Sequence, residues 1–179
     1  EASSSPHSSA AALGREVLIR INAAASINPI NLIAIATLSS PRLPADEKQV
    51  IEQIDFLRDL INSDSMHHKY RVTGLSGREI IVYGETLGMF TRERCKSGDV
   101  LSQDESTSVL MNWYKNNVIH VLSVPAVIAC LIVNQTQRLP HTILLRYFNT
   151  ICLYLQHELY LVPSSPAILT RWIQRLTQM

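Results

Sequence analysis

The stretch Val118 to Val133, VIHVLSVPAVIACLIV, carries no Asp, Glu, Lys or Arg, and it constrains the chain more than any other segment. A helix of this composition is apolar on every side, so it must be covered. A membrane-spanning helix needs roughly 20 apolar residues in a row. This run is shorter and is broken by His120, Ser123 and Pro125, so it reads as a packing helix, in a core or at an interface. It overlaps the longer segment Val109 to Pro125, VLMNWYKNNVIHVLSVP, read as a buried helix that Pro125 interrupts and that resumes to about Asn134. Three polar residues, Asn116, Asn117 and His120, stand inside it.

Val109, Trp113, Asn116 and His120 recur at helical spacing, and Leu110, Tyr114, Asn117 and Val121 form an adjacent row. Both rows set an amide or imidazole among apolar neighbours. An unpaired buried amide costs about 1–3 kcal/mol, so these groups are expected to act as struts that bond main-chain atoms. The rival reading makes His120 a general acid or part of a binding pocket. Neither row carries a carboxylate to orient the imidazole, which favours the strut.

The 179 residues are 46% hydrophobic with a mean hydropathy of +0.08, enough for a core. A net charge of +1 supplies no global field for nucleic acid or anionic surfaces. Cys95, Cys130 and Cys152 lack CxxC spacing, which argues against a disulfide framework and a cysteine-rich zinc site. Cys130 and Cys152 lie in apolar segments and read as reduced core thiols of a cytosolic protein. The N-terminus lacks the order of a signal peptide, and a start at Glu1 hints at a piece of a longer protein or at processing.

Residues 1–12, rich in Ser and Ala, read as a linker. Pro29, with Asn28 ahead of it, opens a helix whose apolar face is Ile30, Ile33, Ala34 and Leu38. A second helix is expected from Pro44, with Asp46 and Glu47 at its positive end and Val50, Ile54, Leu57 and Ile61 on one face. Ser76 and Glu79 fit a capping box for a helix that carries Ile80, Tyr83 and Leu87 and stops near Gly88. A hairpin follows around Ser97, Gly98 and Asp99. Three helices and a hairpin resemble a winged-helix module. The recurrence of Arg-Leu-Pro at 42–44 and 138–140, before a long helix to His157 and another from about Ser164 to Met179, suggests a repeat of the plan. The expected fold is mainly α with a short β-hairpin, compatible with two winged-helix-like units in tandem, 13–104 and 105–179, the second truncated.

Sequence signatures of catalysis are missing. There is no GxSxG elbow, no cysteine in a nucleophile setting and no glycine-rich phosphate loop. His67 and His68 are adjacent and read as a solvated loop pair rather than metal ligands. The helix in the recognition position, SGREIIVYGETLG, has one Arg against two Glu, poorly suited to phosphate.

Three blocks carry a resemblance: RINAAASINPINLIAIATL (Arg20 to Leu38), VLMNWYKNNVIHVLSVPAVIA (Val109 to Ala129) and LQHELYL (Leu155 to Leu161). In order and interval they resemble the C-terminal part of the bacterial membrane-associated glycerol-3-phosphate acyltransferases, from about Leu13 onward. The resemblance implies an enzyme that transfers an acyl group from acyl-CoA or acyl carrier protein to glycerol 3-phosphate, giving lysophosphatidate, at the cytoplasmic face of the inner membrane. It also implies a catalytic His with an Asp five residues on, and a Pro-Glu-Gly block. Five positions after the histidines stand Ala12, Val72, Thr73, Pro125, Arg146 and Val162, and no Pro-Glu-Gly exists. No catalytic, substrate-binding or metal residue and no cofactor is therefore assigned to this chain, and Asn116, Asn117 and His120 are a structural fingerprint. The expectation is an accessory region truncated at both ends and inactive alone. Its partners would be the acyltransferase domain of the same polypeptide and the membrane surface, with acyl donors reaching the parent enzyme and no nucleic acid bound. A winged-helix interaction or regulatory module is the alternative.

Overall fold

Helix starts follow from local chemistry. In the computed structural model, which describes residues 6–39, 44–63, 70–96, 98–134, 140–161 and 166–178, helix α1 spans Pro6–Ala23. The short strand β1, Ser26–Ile27, then leads to helix α2, Pro29–Leu38, with Pro29 at its first turn and Asn28 as N-cap. The short strand β2, Ala45–Asp46, precedes helix α3, Glu47–Ile61, whose N-cap Asp46 accepts the Gln49 N–H at 2.9 Å. This helix was expected to begin at Pro44. It begins later because Ala45 and Asp46 are held extended by pairing with Leu101 and Val100.

Strand β3, Arg71–Val72, pairs in parallel with β1, and helix α4 follows at Gly77–Thr86. Its capping box forms as expected: the Ser76 N–H donates to Glu79 Oε2 at 2.8 Å, and the Ser76 hydroxyl donates to the same oxygen at 2.7 Å. Those bonds hold the Glu79 carboxyl below its ordinary range. Gly88, at φ +67°, closes the helix in the left-handed conformation that glycine tolerates. Strands β4, Thr91–Glu93, and β5, Val100–Ser102, form the expected antiparallel hairpin, and β2 adds to the other edge of β5. Helix α5 is Glu105–Asn116, α6 Ile119–Val133, α7 His141–Glu158 and α8 Pro166–Gln178. The protein is thus mainly helical with a small antiparallel sheet.

The chain separates into two compact units. One runs from β1 to α5; the other gathers α1 with α6, α7 and α8. This differs from the expected division at 104/105, because α5 packs on α2 and contributes the fully buried Met111 to the first unit. Within that unit α2 is covered on all sides: Ile30, Leu32, Ile33, Ala34 and Ala36 are buried, and so are Asn31 and Thr37. Val50 and Ile54 of α3, Ile80 and Ile81 of α4, Phe90 and Leu101 complete the core. On α4 the inward positions differ from expectation, since Tyr83 and Leu87 are exposed while Ile81 and Gly84 face inward. Gly84 explains this: a Cβ there would lie 2.5 Å from Ile33 Cδ1 and 2.8 Å from Phe90 Cε1, so α4 approaches along its side-chain-free face.

Beside this core, Arg92 joins the elements ionically. Its guanidinium bonds both Glu47 carboxylate oxygens at 2.7 Å, Glu85 at 3.0 Å and Asp99 at 3.4 Å. The side chains of Arg92 and Glu47 are only 20% and 18% exposed, so this cluster is partly shielded from solvent.

In the other unit, Ile128, Phe148, Leu161 and Trp172 are buried. Helix α1 begins at Pro6, where a linker was expected to residue 12; a first-turn Pro and the alanines of Ala10 to Ala12 favour helix instead. Pro125 sits inside α6 rather than interrupting it, and the break falls earlier, between Asn116 and Ile119. Burial of Val121, Pro125 and Ile128 on one side holds the helix where a backbone bond is lost. Cys152 is a buried thiol, pushed up to about 11, whereas Cys130 is exposed and not the core thiol expected. Among the described residues no strand follows β5, so the second half departs from a repeat of the helix-and-hairpin plan. Residues 42–43 and 138–139 of the recurring triplet, and the pair His67 and His68, lie outside the described residues. No single described helix is long and apolar enough to cross a membrane.

Candidate functional site

His120 opens α6 and is 9% exposed. Its Nε2 lies 3.0 Å from the main-chain oxygen of Asn22, in the last turn of α1. A carbonyl only accepts, so the bond requires the Nε2–H tautomer. Burial lowers the imidazole pKa below its ordinary value, partly opposed by that hydrogen bond. An Nε2 committed to a carbonyl cannot take a proton from an alcohol through that atom. The Ser123 hydroxyl donates to the His120 carbonyl at 2.9 Å, which fixes the first turn.

Asn22 is the joint of this arrangement. While its carbonyl meets His120, its side-chain Nδ2 donates to the Leu159 carbonyl at 2.8 Å, beyond the last turn of α7. The next residue, Tyr160, has φ +49°, a strained value for a bulky side chain, and follows directly on the carbonyl that Asn22 secures. Asn22 belongs to the block Arg20 to Leu38, His120 to Val109 to Ala129, and Leu159 to Leu155 to Leu161. The three blocks that carry the family resemblance therefore meet through two hydrogen bonds.

A second joint lies in the unit from β1 to α5. Asn31, 3% exposed, accepts the Asn28 N–H through Oδ1 at 2.8 Å and donates through Nδ2 to the Tyr114 carbonyl at 2.8 Å. It caps α2 and ties it to the last turn of α5. Gln103 Nε2 reaches the buried Thr37 hydroxyl at 3.2 Å near the other end of α2.

The expected struts are thus divided. His120 is buried and bonds main chain, but Asn116 and Asn117 are exposed, and no side-chain hydrogen bond of either is found among the described residues. The row of Val109, Trp113 and Asn116 faces solvent, with Trp113 71% exposed, because Met111 sets the inward side of α5. Sequence reasoning missed Asn22 and Asn31. The signal available for Asn31 was its place three residues after the cap Asn28; nothing local marked Asn22. No group of three or more His, Cys, Asp or Glu able to hold a metal occurs among the described residues.

Residues 1–179 match the family described as glycerol-3-phosphate acyltransferase C-terminal region. A relative named glycerol-3-phosphate acyltransferase from Xanthomonas axonopodis pv. citri is 34% identical over 93% of this chain and 18% of its own length. Relatives of the same name from Pseudomonas fluorescens and Xylella fastidiosa are 30% and 34% identical, over 93% and 83% of this chain and 20% and 17% of their own. The chain spans about a fifth of the length of these relatives. No solved structure matches it. The chain belongs to the glycerol-3-phosphate acyltransferase C-terminal region family.

Proposed function

We propose that this chain is the accessory C-terminal part of a glycerol-3-phosphate acyltransferase and does no chemistry itself. In the intact enzyme the acyl group passes from acyl-CoA or acyl carrier protein to glycerol 3-phosphate, giving lysophosphatidate at the cytoplasmic face of the inner membrane. The observation that carries this reading is that no histidine of the chain has Asp five positions on. The chain also spans only about a fifth of the length of relatives named glycerol-3-phosphate acyltransferase, and it matches their C-terminal region. The Nε2–H of His120 is spent on the Asn22 carbonyl, and no carboxylate bond to its ring is found among the described residues. The role left is mechanical: each asparagine joint holds the helices of its own unit in register as a support for the acyltransferase domain. The test is to incubate the purified 179-residue chain with acyl-CoA and glycerol 3-phosphate. No lysophosphatidate is expected, and measurable turnover overturns the reading.

A three-stranded antiparallel sheet of β2, β5 and β4 beside α2, α3 and α4, with the short β3 intervening between α3 and α4, favours a second reading as a winged-helix-like interaction module. In such a plan α4 holds the recognition position, and its exposed Val82 and Tyr83 stand beside Glu79 and Glu85 with the single Arg78. That face suits protein better than phosphate. A duplex titration over a salt series tests it, with no salt-sensitive binding expected.

A further inference from the structure

Helices α6 and α7 leave a groove between them that no described residue fills. Its volume is about 470 Å³, and Ala126, Val127, Cys130 and Leu131 of α6 face Tyr147 and Ile151 of α7 across it. No Asp, Glu, Lys or Arg lines it, and the amide of Asn134 at its end already donates to the Cys130 carbonyl at 2.9 Å. Along α7, Ile143, Tyr147, Ile151 and Tyr154 recur at spacings of four, four and three, all exposed, in a row that flanks the buried Leu144, Phe148 and Cys152 about 100° away around the helix. The two rows make one broad apolar face on α7, and only its Leu144, Phe148 and Cys152 part is covered.

We propose that the α6–α7 groove receives an apolar helix face from the remainder of the same polypeptide, an inference that rests on the accessory-region reading. Two observations select this occupant. The curated relatives are about five times as long as the span they share with this chain, so most of the parent's surface lies outside the present structure. The groove and its rim also carry the wrong charge for a lipid surface. Helices that lie on anionic membranes present Lys and Arg on their polar side. α6 has none and α7 only Arg146. An uncharged trough between two helices accepts an apolar ridge at i, i+3, i+4 spacing, the helix-in-groove mode of recognition.

Cys130 provides the test, because an exposed thiol in the groove reports whether the groove is covered. The full-length polypeptide is labelled with a maleimide without vesicles, and modification of Cys130 is followed by peptide mass spectrometry against the same site in the urea-unfolded protein. The buried Cys152 marks full protection. Docking predicts that Cys130 reacts at least about tenfold more slowly in the native protein, independently of protein concentration. Reaction at the unfolded rate overturns the proposal, because the groove is then open. Protection that vanishes on dilution points to a second copy, and protection that requires phosphatidylglycerol vesicles points to a lipid surface; either result overturns it too. Acyltransferase turnover by the isolated chain would instead defeat the accessory reading, whatever Cys130 does.

Discussion

Replacing Asn31 separates a buried polar joint from an exposed family fingerprint. Asn31→Ala removes the donor to the Tyr114 carbonyl and the acceptor for the Asn28 N–H. The first loss leaves a carbonyl unsatisfied between α2 and α5, at about 1–3 kcal/mol, and the second removes part of a helix cap, at about 0.5–2 kcal/mol. Their sum, about 1.5–5 kcal/mol, is a large fraction of the roughly 5–15 kcal/mol that stabilises an ordinary domain. Asn31→Asp is sharper because its shape is unchanged. One oxygen still accepts from Asn28, but the other meets the Tyr114 carbonyl, so the buried carboxyl favours its protonated form and its folded pKa rises. That variant comes nearest the parent's stability below the unfolded carboxyl pKa of about 4 and falls away from it as pH rises through the folded value. Asn116→Ala, at an exposed position, should change stability by less than about 0.5 kcal/mol. Urea unfolding of the chain followed by far-ultraviolet circular dichroism measures all three. Equal effects of Asn31→Ala and Asn116→Ala, or an Asn31→Asp variant as stable as the parent at pH 7, would refute the reasoning.

Four further outcomes follow from particular positions. Gly84→Ala gains about 1 kcal/mol of helix propensity but forces a methyl into Ile33 and Phe90, at about 1–3 kcal/mol, so a net loss of stability is expected in thermal unfolding. Gly14→Ala in α1, where nothing lies within 4 Å, should raise it. His120 has a lowered folded pKa, so its contribution is fully present above the unfolded value of about 6.5 and is lost as pH falls through the folded one. The stability of His120→Gln should be flatter than the parent's below pH 6.5 in pH-resolved urea unfolding. Arg92→Met leaves Glu47, Glu85 and Asp99 facing one another and should destabilise by roughly 2 kcal/mol at pH 7, between values for exposed and buried pairs; protonation of the carboxylates near pH 3 should shrink the effect.

The sequence was legible where a rule is local. Asn28 with Pro29, Ser76 with Glu79, and the turn around Gly98 each place a cap or hairpin within a few residues, and all three appear in the structure. Periodicity was a weaker guide because it counts apolar residues without knowing which face is covered. On α4 it gave weight to Tyr83 and Leu87, yet the inward side is set by Gly84, a residue whose importance lies in the side chain it lacks. Pro125 misled because a proline weakens a helix locally, while burial of Val121 and Ile128 decides whether the helix continues.

The candidate site shows the same limit at longer range. Asn22 and Leu159 are 137 positions apart and Asn22 and His120 are 98 apart, so no window along the chain could pair them. What the sequence did carry was the set of three blocks, without the reason for their association. The hydrogen bonds supply that reason: one block's amide and carbonyl are shared between the other two. A main-chain carbonyl is available on any residue, so only the side chains that reach for it need be specified, Asn22 and His120. The exposed Asn116 and Asn117 serve neither joint.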